Sequence, residues 1–200
     1  MNIVFYDTET SGLDDKVHDI IQIAAAAFEI NGDDWKLVES FECKMWFDMA
    51  KVDPKALLMN CFSVDTWKAE AVTQQEGIAA FNKFASKYKD VKRKAKKSGN
   101  TFYCLRTGGH NILKFDDPFV RAWYKREGKF CPFDYGEVYD TMQLAKWKLG
   151  FGAQDAPENY KLEELCTLCN VKLTGAHDAL ADIMANARLA WRLTRETTDE

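Results

Sequence analysis

The sequence lacks the features that mark membrane and secreted proteins. No apolar run approaches the roughly 20 residues that a membrane-spanning helix needs, and no basic stretch followed by an apolar signal run stands at the start. The six cysteines are scattered along the chain rather than spaced as a disulfide framework. We therefore expect a cytoplasmic protein with reduced cysteines.

Positive charge is not in excess either. The chain carries 27 Lys and Arg residues against 31 Asp and Glu residues, a net charge of −4. No overall positive field therefore draws a polyanion toward it, and any contact with nucleic acid must be local. The sequence also shows no internal repeat, low-complexity tract or linker, and 200 residues suit one domain. We expect a single domain over residues 1–200.

What the chain does have is a pair of carboxylates at the end of an apolar segment near its start. Residues 3–13 read Ile-Val-Phe-Tyr-Asp-Thr-Glu-Thr-Ser-Gly-Leu, and in a strand Asp7 and Glu9 project from the same face. Two acids on one face repel unless a cation lies between them, and Mg²⁺ and Mn²⁺ prefer oxygen ligands. A metal site is one interpretation. A strand that ends in a solvated loop is the other, because Asp, Thr, Ser and Gly are common in turns.

The rest of the chain predicts an α/β fold with a mixed sheet. An Ile-rich run and an Asn-Gly turn indicate a central strand and its hairpin partner over residues 20–30 and 35–45, although four consecutive alanines would also suit a helix. Strands are also predicted at 101–105 and 133–141, and helices from residue 54 and over 73–88, 115–128, 142–149, 162–165 and 176–195. Because helices alternate with strands after the hairpin, we expect helices on both faces of the sheet.

The last predicted helix opens with a second candidate pair, His177 and Asp182. Five residues is not same-face spacing within a helix, but a histidine at or before the first turn can lean toward a site while Asp182 projects from the helix proper. The alternative is a histidine at a helix start followed by a solvated aspartate.

Taken together, three motifs resemble those of the DEDDh-type 3′–5′ exonucleases. They are Asp7-x-Glu9, the block Gly-His-Asn-x-x-x-Phe-Asp that ends at Asp116, and His177-x4-Asp182. This superfamily includes polymerase proofreading domains, bacterial exonuclease I, ribonuclease T and oligoribonuclease, and the middle block is closest in style to the exonuclease I-like branch. The resemblance implies a ribonuclease H-like fold, with an initial antiparallel hairpin and helices on both faces of a mixed sheet.

The resemblance also implies roles for individual residues. Asp7, Glu9, Asp116 and Asp182 would bind two Mg²⁺ or Mn²⁺ ions, and His177 would be the general base. Contacts to the terminal nucleotide would come from one loop and one turn residue, namely Thr8, Thr10, Ser11, Gly12, Leu13 and Asn111. The implied activity is removal of nucleoside monophosphates from single-stranded ends, with DNA favoured, and the implied partner is a polymerase or another replication or repair protein. The alternatives are an exoribonuclease of the ribonuclease T or oligoribonuclease type and a non-catalytic nucleic-acid-binding or scaffold domain.

Three further groups of residues have two interpretations each. The basic run Lys92–Lys97, expected at a helix C-terminus, is a solvated face or a phosphate-binding site. The thiols of Cys166 and Cys169 are buried core groups or a redox or metal pair, and we favour the core. The aromatic residues Trp46, Phe47, Phe62 and Trp67 pack in the core or stack on nucleic-acid bases, and we again favour packing.

Overall fold

The computed structural model describes residues 1–60, 62–173 and 179–195. This part of the chain folds around a six-stranded mixed sheet. The strands are β1 (Asn2–Thr10), β2 (Ile20–Asn31), β3 (Asp34–Lys44), β4 (Val91–Lys94), β5 (Thr101–Gly109) and β6 (Phe133–Asp140). The helices are α1 (Pro54–Met59), α2 (Val64–Glu70), α3 (Gln74–Ala85), α4 (Asp116–Arg126), α5 (Thr141–Ala145), α6 (Leu162–Leu168) and α7 (Ala179–Leu193).

The strand order along the sheet is β3-β2-β1-β5-β4, and β6 pairs with β5. Strands β1, β2 and β3 pair antiparallel, whereas β5 runs parallel to β1 and β6. The predicted α/β class, the mixed sheet and the antiparallel hairpin are therefore confirmed. Strand β1 lies in the middle of this order, which places the segment with Asp7 and Glu9 at the centre of the sheet.

The alanine run of β2 is a strand and not a helix because helices cover both of its faces. Ala24 and Ala26 pack in a cluster with α7, whereas Ala25 and Ala27 pack in the cluster that holds α3 and α4. All four side chains are completely buried. A strand that is buried on both faces has no need of polar alternation, and the small side chains allow the alanine-rich face of α7 to approach closely.

One sequence prediction was wrong at the basic run. Residues 91–94 do not continue a helix but form β4, which pairs antiparallel with the first half of β5. Helix α3 ends at Ala85 and a short 3₁₀ turn follows at Ser86–Tyr88. The basic side chains therefore project from a short strand, a common way to protect the edge of a sheet.

The cysteines and the aromatic residues largely follow the packing interpretation. The five described cysteines are free, and burial raises the pKa of the Cys166 thiol to about 11. Trp67 is buried, with its indole N–H donating to the Met45 carbonyl, and Phe62 packs against it at 4.9 Å between ring centroids. Trp46 is partly exposed. Among the described helices, none has the length and apolar character needed to cross a membrane.

Candidate active site

Strand β1 presents Asp7 and Glu9 on the side of the sheet that faces α7. Ile3 and Phe5 pack in the α7 cluster, and the strand period of two places Asp7 and Glu9 on that same side. Both acids are half-buried, whereas Thr8 between them is buried. The two carboxylates therefore share one face, as the sequence predicts.

Asp116 reaches the same strand from the first turn of α4. Its carboxylate is 3% exposed, and its Oδ1 accepts hydrogen bonds from the Thr8 backbone N–H at 2.8 Å and from the Thr8 hydroxyl at 2.7 Å. The two bonds join residues that are 108 positions apart in the sequence. They fix the first and second motifs against each other.

The electrostatics of the carboxylates show that an acid from each of the three motifs lies within range of Asp7. Burial raises the pKa of Asp7 well above its ordinary value, and the charges of Asp116, Glu9 and Asp182 raise it further. Burial also raises the pKa of Asp116 to about 7, against the opposing effect of its bonds from Thr8. Glu9 adds to that increase. Asp182, on the first turn of α7, thus belongs to the same charged cluster as the other three acids.

This donor set matches the chemistry of Mg²⁺ and Mn²⁺, because hard divalent cations take carboxylate oxygens. A cation among the four acids would also remove the repulsion that raises the pKa of Asp7 and Asp116. Within the described ranges, no group of three or more His, Cys, Asp or Glu side chains is arranged so that it could hold a metal ion as it stands.

The loop after β1 is held by its own hydrogen bonds and exposes a leucine. Thr10 donates from its hydroxyl to the Gly12 carbonyl, and Ser11 accepts from the Asp19 N–H through its hydroxyl oxygen. A Cβ on Gly12 would lie 2.3 Å from the His18 ring, so any other residue here would displace that ring. Leu13 is 78% exposed. It does not cap the core, and it is available to contact a ligand.

The turn before Asp116 depends on two residues. Asn111 takes a left-handed conformation with φ 57°, which Asn tolerates better than most residues, and its carbonyl accepts from the Phe115 N–H. Asp140 accepts from the backbone N–H groups of Asn111 and Leu113 at 3.2 Å each. The resemblance implied that Asn111 contacts the terminal nucleotide but gave no role to Asp140, for which an acid just before a predicted helix was the available signal.

Several neighbouring acids and histidines make contacts outside the charged cluster. Asp117, next to Asp116, pairs with Arg121 at 2.6 Å, and His18 bonds to the backbone of Asp14 in the loop. His110 is bonded through both ring nitrogens to Thr141 and to the Tyr160 carbonyl. His177 and its neighbour Asp178 lie outside the described residues, so the role of His177 stays a prediction.

Comparisons with known proteins point to one superfamily. A family model described as Exonuclease matches residues 105–190. Ribonuclease T of Yersinia enterocolitica is 28% identical over 93% of this chain and 81% of its own length, and that of Haemophilus ducreyi is 26% identical over 98% and 86%. These matches support the predicted resemblance to the DEDDh-type exonucleases.

Solved structures show what fold this chain has. Escherichia coli exonuclease I in complex with a dT13 oligonucleotide superposes with a TM-score of 0.69 at 21% identity, covering 95% of this chain and 40% of that chain. Exonuclease I from Methylocaldum szegediense gives 0.69 at 20% identity, with 100% and 41% covered. The chain thus spans about two fifths of the length of exonuclease I. The predicted ribonuclease H-like fold is confirmed.

The raised pKa of Asp116 predicts a stability profile for the metal-free protein. In the unfolded chain the pKa of Asp116 is about 4, whereas in the folded chain it is about 7. The unfolded state therefore binds fewer protons between these values, so the free energy of unfolding falls as the pH rises across that window. Asp116→Asn keeps an oxygen for the Thr8 bonds and removes the ionisation. It should make the protein in EDTA more stable at pH 7, by on the order of 1 kcal/mol or more, with little difference at pH 4.

Urea denaturation at a series of pH values measures this effect. Asp65→Asn, on the exposed side of α2, is the matched control for loss of one carboxylate and should not change the profile between pH 4 and 7. Mg²⁺ should flatten the decline of the unmodified protein. An Asp116→Asn profile that runs parallel to that of the unmodified protein would show that Asp116 ionises normally.

Proposed function

We propose that this chain is a two-metal-ion 3′–5′ exonuclease that removes nucleoside monophosphates from single-stranded ends. The observation that carries the proposal is the charged cluster in which Asp7, Glu9, Asp116 and Asp182 act on each other although they come from three distant segments. An arrangement of four acids that raises the pKa values of Asp7 and Asp116 is costly to keep in a domain that only binds or supports a partner.

In this proposal the four carboxylates hold two Mg²⁺ or Mn²⁺ ions. When bound, such ions supply a nucleophile near neutral pH and stabilise charge on the leaving 3′ oxygen. His177 accepts the proton of the attacking water. Thr8 keeps the Asp116 carboxylate in place through its two hydrogen bonds. Leu13 packs on the terminal base, while the backbone of Thr10, Ser11 and Gly12 and the turn at Asn111 lie next to the terminal nucleotide.

A basic groove supports a nucleic-acid substrate despite the negative net charge. It has a volume of about 1340 Å³ and is lined by five lysines, Lys16, Lys94, Lys96, Lys125 and Lys129, together with the aromatic residues Phe102, Phe130 and Tyr135. Phe130 and Tyr135 are 74% and 82% exposed. Exposed rings among positive charges are typical of surfaces that bind single strands, and Lys16 belongs to the loop that follows Leu13.

The choice between DNA and RNA rests on different relatives. Structures of exonuclease I with oligonucleotides of dT or dA favour DNA, our first candidate. RNA is the second candidate, because the relatives that match over most of their own length are named ribonuclease T. We further propose that the chain is a single domain, that it acts in the cytoplasm and that a polymerase or another replication or repair protein is its partner, as the resemblance to proofreading domains implies.

A 5′-labelled strand distinguishes the direction of cleavage. Mg²⁺ should convert single-stranded DNA into a ladder of shorter labelled products, because mononucleotides leave from the unlabelled 3′ end, and EDTA should stop the reaction. Asp7→Asn should reduce the rate to background. An RNA strand of the same sequence and a duplex are compared in the same gel.

Each pattern of products has a distinct meaning. Faster cleavage of RNA would replace DNA by RNA in the proposal, and release of labelled mononucleotide at the earliest times would indicate the opposite direction. Binding of both strands without cleavage in Mg²⁺ or Mn²⁺ would leave a non-catalytic binding domain as the better account.

The proposed role of His177 predicts a defect in the chemical step. His177→Ala should slow single turnover by on the order of 10²-fold to 10⁴-fold, because the attacking water loses its proton acceptor, while Mn²⁺ affinity changes little. Rapid-quench kinetics and a Mn²⁺ titration measure the two quantities. A rate equal to that of the unmodified enzyme would exclude His177 as the base.

The basic groove predicts how salt affects binding. Lys94→Gln with Lys96→Gln should make the slope of log affinity against log salt less steep, by about 0.7 for each phosphate that the variant no longer neutralises. Fluorescence anisotropy with a labelled single strand in Ca²⁺ or EDTA measures the slope. The matched control is Lys36→Gln with Lys68→Gln, two exposed lysines outside the groove. Equal slopes for the two double variants would show that the groove lysines do not bind phosphates.

A further inference from the structure

The junction between β6 and α5 contains a buried threonine that the sequence analysis did not single out. Thr141 is the first residue of α5 and is 2% exposed. It follows Asp140, which caps α5 and holds the turn that leads to Asp116. The junction therefore lies directly behind the segment that delivers one of the proposed metal ligands.

The Thr141 hydroxyl lies between two side chains from other parts of the fold. Its Oγ1 is 2.9 Å from Nδ1 of His110 at the end of β5 and 2.7 Å from Oδ1 of Asn186 on α7. A third neighbour is the Gly109 carbonyl at 3.2 Å. Asn186 is 4% exposed. The hydroxyl thus joins the central sheet to α7 in a site that water does not reach.

The assignment of hydrogen-bond donors and acceptors shows why this threonine is hard to replace. The Tyr160 carbonyl only accepts, so Nε2 of His110 donates to it, and burial lowers the pKa of His110 and favours the neutral ring. Nδ1 is then an acceptor, which uses the one hydrogen of the Thr141 hydroxyl. The Asn186 amide satisfies the threonine oxygen when its N–H₂ group faces Thr141, since the two ends of an amide are interchangeable in shape.

Asn186 is four residues after Asp182 on α7, so the two side chains lie on the same side of the helix, one turn apart. A bond that holds Asn186 therefore also sets the rotation of α7 and the direction in which Asp182 projects. This matters because the charges of Asp7 and Asp182 repel each other. The packing of α7 holds the helix on the sheet, and a hydrogen bond one turn from Asp182 opposes the rotation that this repulsion favours.

We infer that Thr141 and Asn186 are positioning residues, whose hydrogen bond holds α7 in the rotation that directs Asp182 at Asp7. The inference rests on the proposed exonuclease function, but it concerns residues that touch neither substrate nor metal. Its consequence is that a single hydroxyl group, outside all three motifs, sets the direction of the Asp182 carboxylate.

Thr141→Val tests the inference, because it removes the hydroxyl and keeps the shape. We expect kcat to fall on the order of 10-fold to 100-fold, as for small misplacement of a catalytic group, while KM stays within about twofold. Thr141→Ser should recover most of the activity. Asn186→Leu should give a similar loss, and the double variant with Thr141→Val should be no worse than the more impaired single variant, since both remove one interaction.

Thr107→Val is the matched control. Thr107 is a fully buried threonine on β5 whose hydroxyl has no hydrogen-bond partner in the described part of the chain. The same change there should leave kcat unchanged and stability equal or higher. If Thr141→Val and Thr107→Val have the same kcat, or if Thr141→Ser does not recover activity, Thr141 has no positioning role.

Hydrogen exchange of the metal-free protein separates this inference from the proposed function. Thr141→Val should increase amide exchange in residues 179–186 at the start of α7, and Thr107→Val should not. If the unmodified chain cleaves neither DNA nor RNA, the proposed function fails, while faster exchange confined to α7 still supports the holding role. Unchanged exchange in α7 overturns the inference whatever the activity.

Discussion

Repulsion among four acids is the constraint to which the rest of this structure responds. In a site that water reaches only in part, burial and the charges of Asp116, Glu9 and Asp182 raise the pKa of Asp7, and burial and the charge of Glu9 raise that of Asp116. Like charges at such a site would separate if their segments were free to move. What keeps them together is a set of contacts that carry no charge of their own, in particular the two Thr8 bonds to Asp116 and the close packing of α7 on the sheet.

The elements that supply these contacts lie in the buried centre of the fold. Strand β1 lies between β2 and β5 in the sheet, and the completely buried alanines of β2 bring helices close on both faces. Asp116 stands in the first turn of α4, behind a turn that Asn111 and Asp140 fix. A site built on a central strand and two helix starts is more precisely held than one built on loops alone, as the alignment of metal ligands requires.

Local sequence was sufficient to predict the structure of segments whose conformation does not depend on distant parts of the chain. Asp7 and Glu9 follow an apolar run, so the strand period alone predicts that they share a face, and the Asn31-Gly32 turn predicts the hairpin. The basic run was misread because β4 has only four residues and is stabilised by pairing with β5, ten residues further along. Short strands of this kind follow from tertiary pairing and not from their own composition.

The roles of Asp140 and Thr141 could not be predicted from the sequence. Nothing in the order of residues near position 140 reveals that an aspartate will hold the turn at Asn111 or that a threonine will lie between His110 and Asn186. Such contacts join positions 27 to 45 residues apart, and they exist only once the strands and helices have assembled. The resemblance to DEDDh-type exonucleases located the acids, whereas only the structure located the groups that hold them.

A crystal structure with Mn²⁺ will show whether these acids form one cation site. Anomalous scattering locates manganese independently of any assumption about the ligands. We expect Mn²⁺ to lie between the carboxylates of Asp7, Glu9, Asp116 and Asp182, with the end of a single-stranded oligonucleotide beside it. Manganese bound elsewhere, with Asp182 directed away from Asp7 and Asp116, would contradict this expectation.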